Sequence, residues 1–312
     1  MIKTTEISVC TIPESLKTEL ACLEKLNPCH QVYYTDQSAF FIRYKQTVDI
    51  FNFMPKLAFR LPLKIIGKPY SVSDKGYIGD NASVSELIKT TQGLSIVLNG
   101  DSGLELPCVY TLSSHEFYNR FTSFEHYLKS LRSHYRYRVK KALRRSSEIA
   151  MIRMDQTCFN EEHHKLYLEV YKNSKDKLEC LSLEFFREFP SELYEFRLGE
   201  TGELVGFIQL VHTSNKLIFL FGGFKQALNR TYDLYMSILI EIIRIGIDRG
   251  VEHIEFGQTA EETKQKLGCV PVKKYLYVHH SNKVLHYLIS RILPLLSYKP
   301  HGITYHVFKD KL

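Results

Sequence analysis

No C-x-x-C pair occurs among the seven cysteines, Cys10, Cys22, Cys29, Cys108, Cys158, Cys180 and Cys269. Their odd number and scattered spacing exclude a disulfide framework or a structural zinc site and point to a reducing compartment. No G-x-S-x-G elbow, Walker loop, G-x-G-x-x-G or H-E-x-x-H is present, which removes the common nucleophile, nucleotide and zinc-protease motifs. His163-His164 and His279-His280 are adjacent pairs, and neighbours in sequence point to different faces of either a strand or a helix. They are poor metal sites, and no metal is expected. The opening Met1-Ile2-Lys3-Thr4-Thr5-Glu6 lacks the apolar run of a secretory signal. The longest apolar stretch, Leu234 to Ile247, carries Glu241 and Arg244 and is too polar to span a bilayer. A cytoplasmic protein is expected.

What is present fits a folded chain of two domains. The chain has 312 residues, 44% of them hydrophobic and 12% aromatic, enough for two sizeable cores. Net charge is +7, from 41 Lys+Arg against 34 Asp+Glu, a modest excess whose placement matters more than its size.

The strongest pattern lies between Glu192 and Val278. Leu193 to Leu198, Leu204 to His212 and Lys216 to Phe224 read as three strands joined by the polar turns Thr201-Gly202 and Ser214-Asn215. From Asp233 to Arg249 the apolar residues fall almost all round a helix, which predicts burial, and Gly250 ends it. A short strand at His253 to Gly257, a helix from Thr259 to Leu267 and a strand from Lys273 to Val278 complete the order β-β-β-α-β-α-β. That order reads as a mixed α/β fold.

The first half repeats part of this. A helix at Glu14 to Leu26 ends at Asn27-Pro28, and Val32 to Tyr34 pairs as a hairpin with Ala39 to Tyr44. Leu57 to Ile66 can hold a strand interrupted by Pro62. Ser83 to Gln92 reads as a helix opened by the capping box Ser83-Val84-Ser85-Glu86. Gly93, the strand Leu94 to Leu98 and Gly100 then match Gly250, its strand and Gly257, with equal spacing between the glycines. Two related domains in tandem are the simplest account. The expected division is 1–118, a connecting basic segment 119–147, a second domain 148–280 and a tail helix 281–312.

The connecting segment is the sharpest local anomaly. Leu131, Tyr135, Val139 and Leu143 form a narrow apolar stripe, while Arg132, Arg136, Arg138, Lys140, Lys141, Arg144 and Arg145 cover the rest, with no acid before Glu148. Like charges at this density repel one another unless an anion lies alongside. The helix is read either as a solvated face or as a surface for phosphates, whether of a nucleotide-linked substrate, coenzyme A, a lipid headgroup or RNA.

Arg136-Tyr137-Arg138-Val139-Lys140-Lys141-Ala142, followed by the strand Ile149 to Ile152, resembles the segment that opens the second domain of Fem-type peptidoglycan-bridge aminoacyltransferases and their acetyltransferase (BioF2-like) relatives. Phe256-Gly257-Gln258-Thr259 and Lys264-x-x-x-Gly268 are similar to that family's C-terminal signature. The resemblance covers roughly residues 120–280 and implies two tandem GCN5-related N-acyltransferase (GNAT) domains, each a mixed, mainly antiparallel sheet flanked by helices. Thr259 stands where Ser is usual, and Lys225-Gln226-Ala227-Leu228-Asn229-Arg230-Thr231 replaces the glycine-rich pyrophosphate loop of ordinary acetyltransferases.

The implied activity is transfer of an acyl group to an amine by direct attack. Lys264 is the implied cation at the oxyanion or a donor phosphate, expected to be exposed without ligand, and Glu255 is a candidate base. Gly222 and Gly223 would let the backbone approach the donor. Arg136, Lys140, Lys141, Lys225, Arg230 and Thr259 would bind its phosphates, the last three at helix starts. Gln209 and His212 on the neighbouring strand read more readily as structural. Acyl-coenzyme A or an acyl carrier is the expected donor and co-substrate, with aminoacyl-tRNA as runner-up. The expected acceptor is a small-molecule or nucleotide-linked amine. A non-catalytic GNAT-fold binding protein is the third reading. The apolar tail Val284 to Leu296 is expected to dock on the core, with peripheral membrane contact as its second reading.

Overall fold

The computed structural model describes residues 1–26, 29–49, 60–70, 73–174, 180–213, 215–299 and 303–309. The expected helix end at Asn27-Pro28, the first residues of the strand expected from Leu57, and Ser214 of one expected turn fall outside them. The N-terminal half forms β1 (Ile2–Thr4), α1 (Glu14–Leu26), β2 (Val32–Thr35), β3 (Ala39–Asp49), β4 (Arg60–Ile66), β5 (Tyr77–Gly79), α2 (Asn81–Lys89), β6 (Leu94–Gly100) and β7 (Cys108–Tyr118). There follow α3 (Phe124–Ser130), α4 (Ser133–Arg145), β8 (Ile149–Met154), α5 (Glu161–Asn173), α6 (Leu183–Glu188), β9 (Glu192–Leu198), β10 (Leu204–His212) and β11 (Lys216–Phe224). The last elements are α7 (Gln226–Tyr232), α8 (Leu234–Asp248), β12 (His253–Glu255), α9 (Glu261–Lys266), β13 (Val270–His280) and α10 (Lys283–Ile292).

Two compact units result: residues 1–113, 176–185 and 273–300, and residues 114–175, 186–272 and 301–312. Their sheets share one plan. In the first, β1, β2, β3 and β4 pair antiparallel in turn, β4 pairs parallel with β6, and β6 pairs antiparallel with β13. In the second, β8, β9, β10 and β11 pair antiparallel, β11 pairs parallel with β12, and β12 antiparallel with β7. The parallel step needs a helical crossover, supplied by α2 in one unit and by α7 and α8 in the other. The tandem reading therefore holds at the level of strand order.

The expected boundaries do not hold. β13, assigned by sequence to the second domain, pairs with β6 of the first. β7, expected to finish the first domain, carries Glu116 to Tyr118 onto β12 of the second. The connecting helix α4 is part of the second unit, and the tail is divided between the two. Strand pairing between segments far apart in sequence leaves no local mark, so contiguous division was the natural but wrong expectation.

Local chemistry explains the elements. Helix α2 begins earlier than its expected capping box: the Asp80 side chain accepts from Ser83 N–H at 3.0 Å, and Glu86 instead pairs with Lys89. Gly250 (φ 65°) takes the left-handed conformation that ends α8, whereas α2 stops at Lys89 with Thr90 as its C-cap, short of the end expected at Gly93 (φ 74°). Helix α8 is buried nearly all round, from Leu234 to Ile247. Its one central arginine, Arg244, is accommodated by Glu241 at 3.1 Å and by the Phe124 ring at 4.1 Å. Burial raises the Glu241 carboxyl above its ordinary pKa, against the lowering pull of Arg244.

Candidate active site

The site is built where β11 parts from β12 in the second unit. The two strands run parallel for three residue pairs, Lys216 to Ile218 against His253 to Glu255. β11 then continues to Phe224 through a bulge at Leu220, where Gln209 faces Phe221 but Leu210 faces Phe219. The chain after Glu255 stays with β7 instead: Phe256 N–H donates to the His115 carbonyl at 2.9 Å, and His115 N–H donates to the Gly257 carbonyl at 3.0 Å. Divergence of this kind leaves the backbone from Phe219 onward without a β-partner on that side among the described residues.

Gly257 (φ 70°) is the hub of the site, because its carbonyl takes a second donor, Lys264 Nζ at 3.3 Å. Lys264 is 2% exposed, contrary to the expectation of an exposed lysine on a polar helix. The short helix α9 turns Lys264 inward while Glu262 and Lys266 pair with each other outside. Burial lowers its pKa to about 8, with Cys269, Glu261 and Glu255 pulling the other way. The same burial pushes the Cys269 thiol up to about 12.

His115 on β7 is the residue that sequence reasoning missed. It is fully buried, its Nε2 lies 3.3 Å from Gln265 Nε2, and its Nδ1 has no hydrogen-bond partner among the described residues. Burial and then Lys264 lower its pKa to about 4, so the ring is neutral at physiological pH. Because the Gln265 amide nitrogen only donates, His115 Nε2 accepts and is the basic nitrogen of the neutral ring, with the ring proton on Nδ1, and the ring lies within electrostatic reach of the buried Lys264. Nothing local marked it: Ser114-His115-Glu116 reads as an ordinary strand, and its position depends on β7 joining β12.

The other expected residues separate into three groups. Glu255 is buried near this cluster, but its carboxylate is held by Lys216, so it is engaged as an ion-pair partner and not free as a base. Thr259 is exposed on the turn before Ala260 (φ 57°), which opens α9. The start of α7 is closed to phosphate: Glu169 accepts the Gln226 N–H at 3.0 Å, Lys225 pairs with Glu203, and the Arg230 carbonyl accepts from Arg145. The expectation that Lys225 and this helix terminus cradle a donor phosphate is therefore corrected, since carboxylates already hold both, whereas the contact shown for Arg230 is to its backbone carbonyl.

Gly222 and Gly223 also serve packing. A Cβ on Gly223 would lie 2.6 Å from Leu166 and 2.7 Å from Tyr167 backbone atoms, because α5 rests directly on the strand. A Cβ on Gly222 would meet the Phe219 ring at 3.0 Å. Gly223→Ala should cost about 1–3 kcal/mol by overpacking. Thermal unfolding checks this, and an unchanged midpoint would mean that α5 is free to shift.

The basic helix α4 behaves as a presented surface. Val139 and Ala142 are buried against the core, and α8 receives them, with Ser237 Oγ donating to the Ala142 carbonyl at 3.4 Å. Arg145 pairs with Asp233 at 3.0 Å. Arg136, Lys140, Lys141 and Arg144 make no ion pair among the described residues, and Tyr137, Lys140, Leu143 and Arg144 line an open concavity. Arg138 bears electrostatically on Glu262, which sets the basic helix beside α9, the helix of Lys264.

Three further candidates are structural. His163 Nε2 meets Glu195 at 2.9 Å, and Glu195 also takes Arg197 at 2.6 Å, a satisfied buried network among Phe159 and Phe207. Gln209 Nε2 donates to the Phe186 carbonyl at 2.6 Å, and His212 is exposed at the end of β10. No cluster of three metal-ligating side chains occurs among the described residues.

Comparison with known proteins gives this geometry its class. Residues 127–265 match the family model of the acetyltransferase (GNAT) domain. L-PGS from Bacillus licheniformis is similar in structure (TM-score 0.55, 13% identity, 90% of this chain and 97% of that one). So is the C-terminal domain of a putative lysylphosphatidylglycerol synthetase from Agrobacterium fabrum (TM-score 0.55, 11% identity, 90% and 96%). FemX is a third (TM-score 0.54, 11% identity, 93% and 100%). At these identities the likeness is one of fold. Comparison with curated proteins finds none that matches. The match to the acetyltransferase (GNAT) domain thus falls largely within the second unit, and the fold of the whole chain is one that FemX shares.

Proposed function

We propose that the second unit transfers an aminoacyl group from the 3′ end of a charged tRNA to an amine, by direct attack without a covalent enzyme intermediate. The burial of the Lys264 ammonium and the His115 ring together beside α9, at the divergence of β11 and β12, carries this reading. Protonated Lys264 stabilises the tetrahedral oxyanion, and neutral His115 accepts the proton that the attacking amine releases. Because both are buried, donor and acceptor reach them only when the 256–260 turn opens.

Donor choice rests on where phosphate can be held. The α7 terminus is filled by Glu169, whereas α4 presents four basic side chains without carboxylate partners beside α9. A surface outside the acyl cleft suits a long polyanion better than the compact pyrophosphate of coenzyme A. Acyl-coenzyme A remains the second reading, favoured by the match to an acetyltransferase domain.

Competition assays with unlabelled tRNA and with coenzyme A separate the two. Reversing charge at Arg136, Lys140 and Lys141 should weaken tRNA binding and reduce its salt slope by roughly one unit per lost phosphate contact. Unchanged affinity and slope would return α4 to a solvated face, and displacement by coenzyme A alone would establish the thioester donor.

A further inference from the structure

The face of α10 turned away from the first unit has no use in the reading above. At about 100° per residue, His286, Ile289 and Leu293 fall on one side of the helix. Ile289 and the buried Leu293 pack there with Val109 and Val278, and the His286 ring contacts His279. Docking of the tail thus holds for that side alone. Val284, Leu285, Leu288 and Ile292 occupy a second face, continued by Leu295 and Leu296 in the 3-10 turn that follows, and all are exposed, Leu295 at 83%. Such a row of aliphatic side chains in water is costly unless something covers it.

Charge identifies the cover. Lys283, Arg291 and Lys299 are exposed around this face, and no Asp or Glu stands anywhere between Glu262 and Asp310. Tyr287 lies at the margin, 56% exposed, its hydroxyl 3.2 Å from Arg291 Nε. A second copy docked through the same face would bring these cations against one another with no local acid to compensate. An anionic lipid surface takes the aliphatic row into its acyl boundary and the lysines and arginine at its headgroups. No helix among the described residues is long and apolar enough to cross a membrane, so contact is with one leaflet.

We infer that residues 283–299 form an interfacial anchor that seats the first unit on an anionic bilayer, independently of which donor the second unit uses. The test is co-sedimentation of the full chain with phosphatidylglycerol–phosphatidylcholine vesicles and with phosphatidylcholine alone. Binding should require the anionic lipid. Leu285→Asp/Leu288→Asp should lower partitioning about tenfold or more. Lys283→Glu/Arg291→Glu, which gives up the exposed Arg291–Tyr287 contact but leaves the buried side of the helix intact, should lower it on the order of tenfold to a hundredfold, about fivefold or more per charge. Absence of wild-type binding, wild-type partitioning by either variant, or a dimer that the Leu285→Asp/Leu288→Asp change dissociates would overturn the anchor.

Discussion

Lys264→Met is expected to lower acyl transfer about 10²–10³-fold while leaving the protein at least as stable at neutral pH. The first effect follows from removing a cation buried at the divergence of β11 and β12. The second follows from burial: the shift from 10.5 to about 8 corresponds to about 3 kcal/mol against the charged form. Methionine keeps the volume and removes that penalty. Lys264→Ala, by contrast, leaves a cavity and should lose stability as well as activity.

The sign with pH separates charge from packing. The folded pKa of Lys264 lies below the unfolded value, so the unfolded chain binds more protons between about pH 8 and 10.5. The wild type is therefore penalised in full below pH 8, and its deficit against Lys264→Met should vanish as pH rises through that window. Cys269 titrates in the opposite sense at higher pH but is present in both proteins. Turnover should fall above about pH 8 in the wild type, as the lysine loses its proton. Lys264→Met with undiminished turnover would remove the lysine from the mechanism.

His115→Gln should lower kcat/KM about 10²–10³-fold, the range of a lost general base. Glutamine can keep a hydrogen bond to Gln265 but accepts no proton. With a folded pKa of about 4, His115 is neutral across the working range, so the wild-type rate should show no acid limb from this group above pH 5. Its stability signature lies lower. The unfolded ring protonates near 6.5 and the folded one near 4, so stability is lost as pH falls through that interval. His115→Gln should lose less stability there than the wild type. A variant with full kcat/KM would assign the imidazole to packing alone.

The sequence by itself determined the periodic elements of this protein. β10 and β11 fall where alternation placed them, α1 spans Glu14–Leu26 as read, and α8 is buried all round as its apolar run required. The left-handed glycines between α2 and β6 and between α8 and β12 exposed the duplication, because such a residue between helix and strand is a local demand. The motif residues Gly257 and Lys264 were also legible, as neighbours on one short turn and helix. What side chains do with their surroundings was not. Lys264 looked solvated among Glu261, Glu262 and Lys266, since nothing in the order of residues says which side of α9 meets Cys269 and Gly257. Lys225 and the start of α7 looked like phosphate ligands until Glu203 and Glu169 arrived from distant elements. His115 entered the site only because β7 completes the sheet of the second unit, and β13 that of the first. Hydrogen bonding between strands is chemically the same whichever segment supplies the partner, so that choice, and the site it builds, belonged to the tertiary structure.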